Sequence, residues 1–351
     1  MTSAGAAGRP PTGSRRRRLA ATVVVLVLVV GGVAVLVRKV MTPTDYPGPG
    51  HGEVVVVVQP GDSATAIGAT LAKADVVASS SAFVDAAAAD DRSLGIQPGS
   101  YSMAQQMSGQ GALERLLDPS ARVLVQVTVP EGLRLSQTVD RLVVASGLPV
   151  TDFERALRQP QRLGLPPYAN GDAEGFLFPA TYSFDPGVSA MTMLQAMVQR
   201  FDQAARETRL VTGSQAVGMT PREVVTVASL VQAEVAEPDF GKAARVVANR
   251  LNVGMPLQFD STVNYALGSD DLTLNNDQLG VDSPYNTYAN AGLPPGPINS
   301  PGQAALEAAL HPPAGDWMYF VAVAPGSPDT RFTSSYDQFL AWKNQFYSAV
   351  P

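Results

Sequence analysis

The 351-residue sequence predicts an α+β fold carried behind a single N-terminal transmembrane helix. Three observations predict it. An uncharged apolar run fills residues 19–37, two strand–turn–helix units repeat one spacing between residues 53 and 187, and helical periodicity dominates 188–351 until a strand pair near the C-terminus. The expected order is a tail over 1–18, a crossing helix over 19–37, a linker over 38–52, small α+β modules over 53–122 and 123–187, and a mainly helical domain over 188–351.

Residues 1–14 are rich in Gly, Ala, Pro and Ser, a composition that buries too little apolar surface to order itself. Arg15 to Arg18 form a basic cluster, Leu19 to Val37 carry no charge, and Arg38 and Lys39 close the run. A helix of that length rises about 28 Å, enough to cross a bilayer. The excess of arginine ahead of the span predicts a cytoplasmic N-terminus and an extracytoplasmic bulk, so a single-pass protein of the cell membrane. A cleaved signal peptide is the alternative, but its apolar region is usually shorter and no A-x-A site follows the run. MTPTDYPGPGHG, residues 41–52, reads as a linker because proline and glycine keep it from joining either neighbour.

A formal charge of -6 argues against a nucleic-acid partner, and the absence of cysteine removes disulfides, thiolate nucleophiles and cysteine metal knuckles. The histidines, His51 and His311, fall beside Gly or Pro and follow no nucleophile motif, which disfavours a Ser-His-Asp hydrolase. No ligand spacing suggests a metal, and no cofactor is called for.

Glu53–Gln59 and Val123–Val129 both read as strands, each followed by a Pro-x-Gly/Asp turn at Pro60 and Pro130 and then by helix. Phe83 and Phe153 lie at the same distance beyond those prolines, and Tyr101 and Tyr182 mark similar returning strands. The pattern is that of a diverged duplication, or of shared turn chemistry alone. In the second unit Glu174 opens the run EGFLFPATYSF, 174–184. Its aromatics suit either a strand core or a sugar platform, with Phe176 and Phe178 on one face and Leu177 on the other. Glu174 is either at a groove edge or an ordinary turn residue.

Beyond Ser189, Met191–Arg209 is amphipathic. Thr220 can cap the next helix, with Pro221 in its first turn and Glu223 three residues after the cap. Val224, Val227, Val231 and Glu234 then share one stripe. A carboxyl on that packed face should have a raised pKa, which suits a general acid near neutral pH; the other reading is a helix-end Glu turned to solvent. Gln232 beside it is uncharged. Phe240–Leu251 reads as a further helix with Arg245 and Arg250 on its polar side.

Two later stretches crowd polar and aromatic groups. MPLQFDSTVNYALG holds Gln258, Asp260, Ser261 and Tyr265, and DSPYNTYANAGLPPGPIN holds Tyr285, Asn286, Thr287, Tyr288 and Asn290 between prolines. Ring faces beside amides and hydroxyls on a restricted backbone suit carbohydrate, next to a helix that carries a carboxylate. Ser300–Leu310 then reads as helix, Trp317–Ala324 and Arg331–Thr333 as strands, and Tyr336–Phe346 as a closing helix.

With these motifs in order, the sequence resembles the MltG/YceG-like membrane-bound endolytic murein transglycosylase family. EGFLFPATYSF, VASLVQAE at 227–234, ANRLNVGMPLQFDSTVNYALG at 248–268 and DSPYNTYANAGLPPGPINSPG at 282–302 carry the likeness, which covers about residues 50–345. The resemblance implies a lyase that cuts nascent peptidoglycan glycan strands internally, leaves 1,6-anhydro ends and helps to terminate elongation. It implies that Glu234 is catalytic and that Glu174, Gln258, Asp260, Tyr285, Asn286, Thr287, Tyr288 and Asn290 bind substrate. It further implies a LysM-like first module, peptidoglycan strands and the cytoplasmic membrane as partners, and peptidoglycan synthases alongside them. Many members carry a Glu where this chain has Gln232. A muramidase-type hydrolase, with Asp260 or Glu174 as second carboxylate, and a non-catalytic wall-binding scaffold are the alternative readings.

Overall fold

The computed structural model describes residues 44–271, 273–324 and 327–348. The expected crossing helix at 19–37 and the tail before it lie outside these residues. Among the described residues no helix is long and apolar enough to cross a membrane. The protein is a mixed α+β structure, and among the described residues its three sheets are all two-stranded and antiparallel. Its chain divides into two compact units, with the boundary between Val123 and Leu124.

In the first unit β1 (Pro49–Val58) pairs with β2 (Gly99–Met107), while α1 (Ala64–Lys73) and α2 (Ser80–Ala89) connect them and α3 (Gly109–Leu117) follows. Ser63 and Ser79 cap α1 and α2 by accepting the Ala66 and Ala82 N–H groups. Val56, Val58, Leu71, Phe83, Tyr101 and Leu113 form the core. β1 begins inside the stretch read as linker. Gly50 and Gly52, at φ 85° and 67°, let the strand bend through an irregular register between His51 and Val54 instead of ending it. Asp45, also in that stretch, accepts the Gly109 N–H at the start of α3 at 3.0 Å.

The second unit opens with β3 (Val125–Val129), α4 (Leu135–Ser146), α5 (Val150–Leu157), α6 (Pro160–Leu163) and β4 (Ala180–Phe184), which pairs with β3. The two strand pairs enclose matching features. Phe83 and Phe153 are fully buried in the second helix of each. Tyr101 and Tyr182 sit opposite Val56 and Val127, and each hydroxyl donates to a carbonyl four residues back, Gln97 at 2.6 Å and Phe178 at 2.5 Å.

The EGFLFP segment corrects one expectation. It is a series of turns and not a strand until Ala180, and Phe176, Leu177, Phe178, Tyr182 and Phe184 are all buried. Phe176 and Phe178 enter one core and Leu177 another, so the aromatics are core and offer no sugar platform. Gly175 holds φ 82°, and a Cβ there would collide with Pro297. Both constraints demand glycine.

α7 (Ala190–Glu207) links the two cores of this unit. Met193, Leu194, Met197 and Val198 pack with the β3–β4 layer, while Phe201, Ala204 and Ala205 pack with the helices that follow. Those are α8 (Leu210–Ala216), α9 (Pro221–Glu234), α10 (Phe240–Asn252), α11 (Asp260–Leu267), α12 (Asn276–Leu279) and α13 (Gln303–Leu310). β5 (Tyr319–Ala322), β6 (Thr330–Thr333) and α14 (Tyr336–Ser348) finish the chain. Trp317, Tyr319 and Phe320 are half-buried, with Phe320 packed against the helical core.

Candidate active site

α9 positions the central carboxyl. Thr220 Oγ1 accepts the Glu223 N–H at 3.2 Å and Glu223 Oε2 accepts the Thr220 N–H at 2.6 Å, with Pro221 at the first helical position. This reciprocal cap fixes where the helix starts and so where Glu234, its last residue, ends up. The helix is not one apolar stripe: every residue from Val224 to Val231 is buried. Neighbouring helices surround it, and its small polar residues are satisfied locally. Thr226 donates to the Arg222 carbonyl, and Ser229 donates to the Thr226 carbonyl while accepting the Ile298 N–H at 3.1 Å.

Glu234 is half-buried as a residue, and the protein crowding its carboxyl pushes the pKa up to about 7. Burial is the main cause; the nearby charge of Asp260 adds to it, and Ser261 and Arg250 oppose it. Ser261 Oγ donates to Glu234 Oε1 at 2.5 Å. Asp260 Oδ1 accepts from the Tyr288 hydroxyl at 2.5 Å. Arg250 is buried; its guanidinium donates to the Met318 and Leu257 carbonyls, and burial lowers its pKa. Arg245 grips the Pro312 and Pro313 carbonyls, so neither arginine lies on a purely solvated face.

The polar loop is held from within. Asn286 is fully buried, donating to the Leu279 and Val281 carbonyls and accepting the Tyr288 N–H. Thr287 is buried as well; its Oγ1 accepts the Phe259 N–H at 3.0 Å and pairs with Thr262 Oγ1 at 2.9 Å. These two side chains therefore shape the loop and join it to α11. Asn290 is exposed and donates to the Ser283 and Asn286 carbonyls. Gln258 is exposed at φ 51°, a left-handed position for a non-glycine residue, and its N–H donates to the Thr287 carbonyl at 3.1 Å. Strain of this kind persists where surrounding structure over-determines it.

Glu174 lies deeper, at 5 % exposure. Both of its oxygens accept from the Leu135 N–H at the start of α4, at 3.0 and 3.1 Å, and Oε2 accepts from the Tyr265 hydroxyl at 3.3 Å. Burial pushes its pKa up to about 7 against those hydrogen bonds. It lines a cavity of about 460 Å³ together with Arg134, Leu135, Val139, Leu157 and Tyr265. Glu234 is not in that lining. The two places are joined by α11: Ser261 and Tyr265 are four residues apart on one helix face. The Tyr265 ring in turn packs against that of Tyr285 at a tilt of 49°, ring centroids 4.8 Å apart. Among the described residues no cluster of His, Asp or Glu could hold a metal ion.

The sequence put Ser261 among the polar groups of its stretch and Arg250 on a helix's polar side, but tied neither to Glu234. For Ser261 α11 was the reason: its cap, Phe259, makes no side-chain hydrogen bond, and eight residues show little periodicity, so no helix was expected to aim it. Gln232 also has a part. Its side chain accepts the Gly302 N–H at 3.0 Å and bonds Glu131 in the turn after β3, while Gly132 N–H reaches the Ser300 carbonyl at 2.8 Å. The turn after β3 is thus fastened beside the end of α9.

Three comparisons bear on this arrangement. The family model described as YceG-like matches residues 56–345. The endolytic murein transglycosylase of Bacillus subtilis is 32% identical over 313 residues, covering 84% of this chain and 85% of its own length. That of Streptococcus pneumoniae is 31% identical over 304 residues, covering 77% of this chain, which spans 54% of that longer protein. A solved YceG-like protein of Listeria monocytogenes superposes with a TM-score of 0.57 at 28% identity, covering 83% of this chain and 99% of its own.

Proposed function

The chain belongs to the YceG-like family, and from that premise we propose that it is an endolytic murein transglycosylase that cuts the bond between N-acetylmuramic acid and N-acetylglucosamine and leaves a 1,6-anhydro end. The observation that carries the chemistry is Glu234: a half-buried carboxyl with its pKa near 7 and only one side-chain donor on it among the described residues. Protonated Glu234 gives its proton to the glycosidic oxygen as the bond to C1 of the muramic sugar breaks. The sugar's N-acetyl oxygen supports the positive C1. Ionised Glu234 then takes the proton of the C6 hydroxyl, whose oxygen closes on C1, so the carboxyl ends as it began and no water is consumed.

A hydrolase on the same polymer would use a second carboxylate to attack or to activate water. Asp260 has an oxygen committed to Tyr288, and Glu174 is buried with both oxygens on Leu135. Glu174 is thereby withdrawn from that work, which favours the single-acid route; Asp260 is the carboxylate a hydrolase would use, and the product ends tell the two apart. Tyr285, Tyr288, Gln258 and Asn290 are the accessible groups for the glycan, with Asn286 and Thr287 holding their loop. The first unit, in our reading, is a LysM-like glycan binder, and the chain acts where peptidoglycan synthases make the strand. The run at 19–37 anchors it in the cell membrane with the described residues outside. Protease added to intact spheroplasts would then digest them, and their full protection would rule that orientation out.

The test of the activity is to incubate uncrosslinked strands with the purified protein and weigh the products. Anhydro ends, lighter by one water than hydrolysis products, should appear early on mid-length fragments and be absent with Glu234→Gln. Reducing muramic ends would instead establish the hydrolase, and strands bound without being cut, the scaffold.

A further inference from the structure

A single carboxyl that gives a proton and then recovers one has two oxygens, and only one of them need work. The site distinguishes the two by its strongest hydrogen bond, the Ser261 hydroxyl; the Ser261 N–H also bonds the carboxyl, with a smaller effect. Glu234 Oε1 accepts from Ser261 Oγ at 2.5 Å, within the short range of a charge-assisted O–H···O bond. Ser261 stands in the first turn of α11, where backbone rather than a flexible loop sets its direction, and it is half-buried. Among the described residues the hydroxyl donates to no other acceptor. An oxygen that already accepts a hydroxyl proton is the poorer place for a second one, so a protonated Glu234 carries its proton on the other oxygen.

We propose that Ser261 is a positioning residue that assigns the proton chemistry to one oxygen: its hydroxyl holds Oε1 of Glu234 through both steps, so Oε2 alone delivers the proton to the leaving oxygen and takes it back from the C6 hydroxyl. This rests on the lyase reading of Glu234. The bond also keeps the side chain from rotating between steps, which matters because donor and acceptor positions on the sugar differ. The charged and titratable groups facing the carboxyl are Asp260 beside Ser261, Arg250 from α10, and Tyr288 on Asp260 from the loop. The Asp260 and Arg250 charges act on it in opposite directions, and the serine hydroxyl is a larger influence than either.

Two readouts on the full chain test this. The Glu234 titration is followed by carbon NMR of Glu-labelled protein, identified by its loss in Glu234→Gln, and the pH profile of strand cutting is measured alongside. Ser261→Ala removes a donor to the ionised form, so the midpoint should rise by about one pH unit, the loss of a hydrogen bond to a charged group. The high-pH limb of the cutting profile should move up with it, while the rate at the optimum falls about ten-fold. Ser261→Thr keeps a hydroxyl in place and should restore both, which also shows that any failure is not one of folding. A midpoint that stays put, or that falls because the serine had been an acceptor, overturns the proposal. If the midpoint rises in Ser261→Ala but wild-type protein makes no anhydro ends, the assignment of the hydrogen bond stands and the lyase reading fails. If neither substitution restores or moves the limb while cutting is lost, Ser261 is only a packing residue and the proposal is wrong.

Discussion

Glu174 and Glu234 belong to one compact unit, both have pKa values pushed up to about 7, and burial is the first cause in each. They differ in how their oxygens are used. Glu174 is 5 % exposed, with both oxygens on the Leu135 N–H and one on the Tyr265 hydroxyl as well. Its carboxyl fastens the start of α4 to α11 and the EGFLFP turns. Glu234 is half-buried and takes the Ser261 hydroxyl on one oxygen, with a weaker bond from the Ser261 N–H. A displaced pKa therefore does not by itself separate an acid that reacts from a carboxyl that braces the fold; what each carboxyl's hydrogen bonds tie together does.

The sharpest way to break this contrast is substitution by glutamine. Glu234→Gln should lower strand cutting by about 10² to 10⁴, the usual worth of general acid–base assistance, and more if one group serves both steps. Glu174→Gln keeps an acceptor for Leu135 and should leave cutting within about ten-fold of wild type, since it makes no contact with reacting atoms. Equal losses in two folded variants would erase the distinction. Truncating the brace is a different matter. Glu174→Ala leaves the Leu135 N–H and the Tyr265 hydroxyl without their acceptor and should cost about 2–4 kcal/mol in a denaturant titration.

Next in size is the pH dependence of stability. Both folded-state pKa values lie above the ordinary 4.5, so the two groups bind protons more tightly when folded. The stability they contribute is complete below the ordinary value and is lost as pH rises through about 7. Wild-type protein should be less stable at pH 8 than at pH 5 by a few kcal/mol on this account, and the double glutamine variant should show a flatter profile. No change of slope in that variant would mean the carboxyls are better solvated than their surroundings suggest. The smallest effect expected is that of Tyr265→Phe. It removes one donor from Glu174 and none from Glu234, so it should cost about 1 kcal/mol of stability and leave the cutting profile unshifted.

The two carboxyls also mark what the sequence could and could not tell. α9 was legible because its signals are local: Thr220, Pro221 and Glu223 lie within one turn, and all three act as expected. The valines sharing its face allowed a crowded Glu234 with a raised pKa, beside the alternative of a helix-end Glu turned to solvent; the structure shows the crowded one. What could not be read was that valines, Thr226 and Ser229 are buried on all sides, because helical periodicity assumes one wet face. Glu174 on Leu135 joins residues 39 apart, and Tyr265 on Glu174 residues 91 apart; no spacing rule reports such bonds. The same limit put Asn286 and Thr287 forward as sugar ligands when their polar groups serve the loop. The β1 start was misread because Gly50 and Gly52, taken as breakers, only bend the strand.

The placement of α7 has a practical side. One end of it, Met193 to Val198, fills the layer beneath β3 and β4, and the other, Phe201 to Ala205, fills the helical core around α9. A shared rod of this kind ties the melting of the two cores together. Amide exchange across β3, β4 and α9 should slow and speed up as a block, in one cooperative opening. A fragment begun at residue 188 would leave Met193, Leu194 and Met197 greasy and uncovered, and would clump in solution where the longer chain does not.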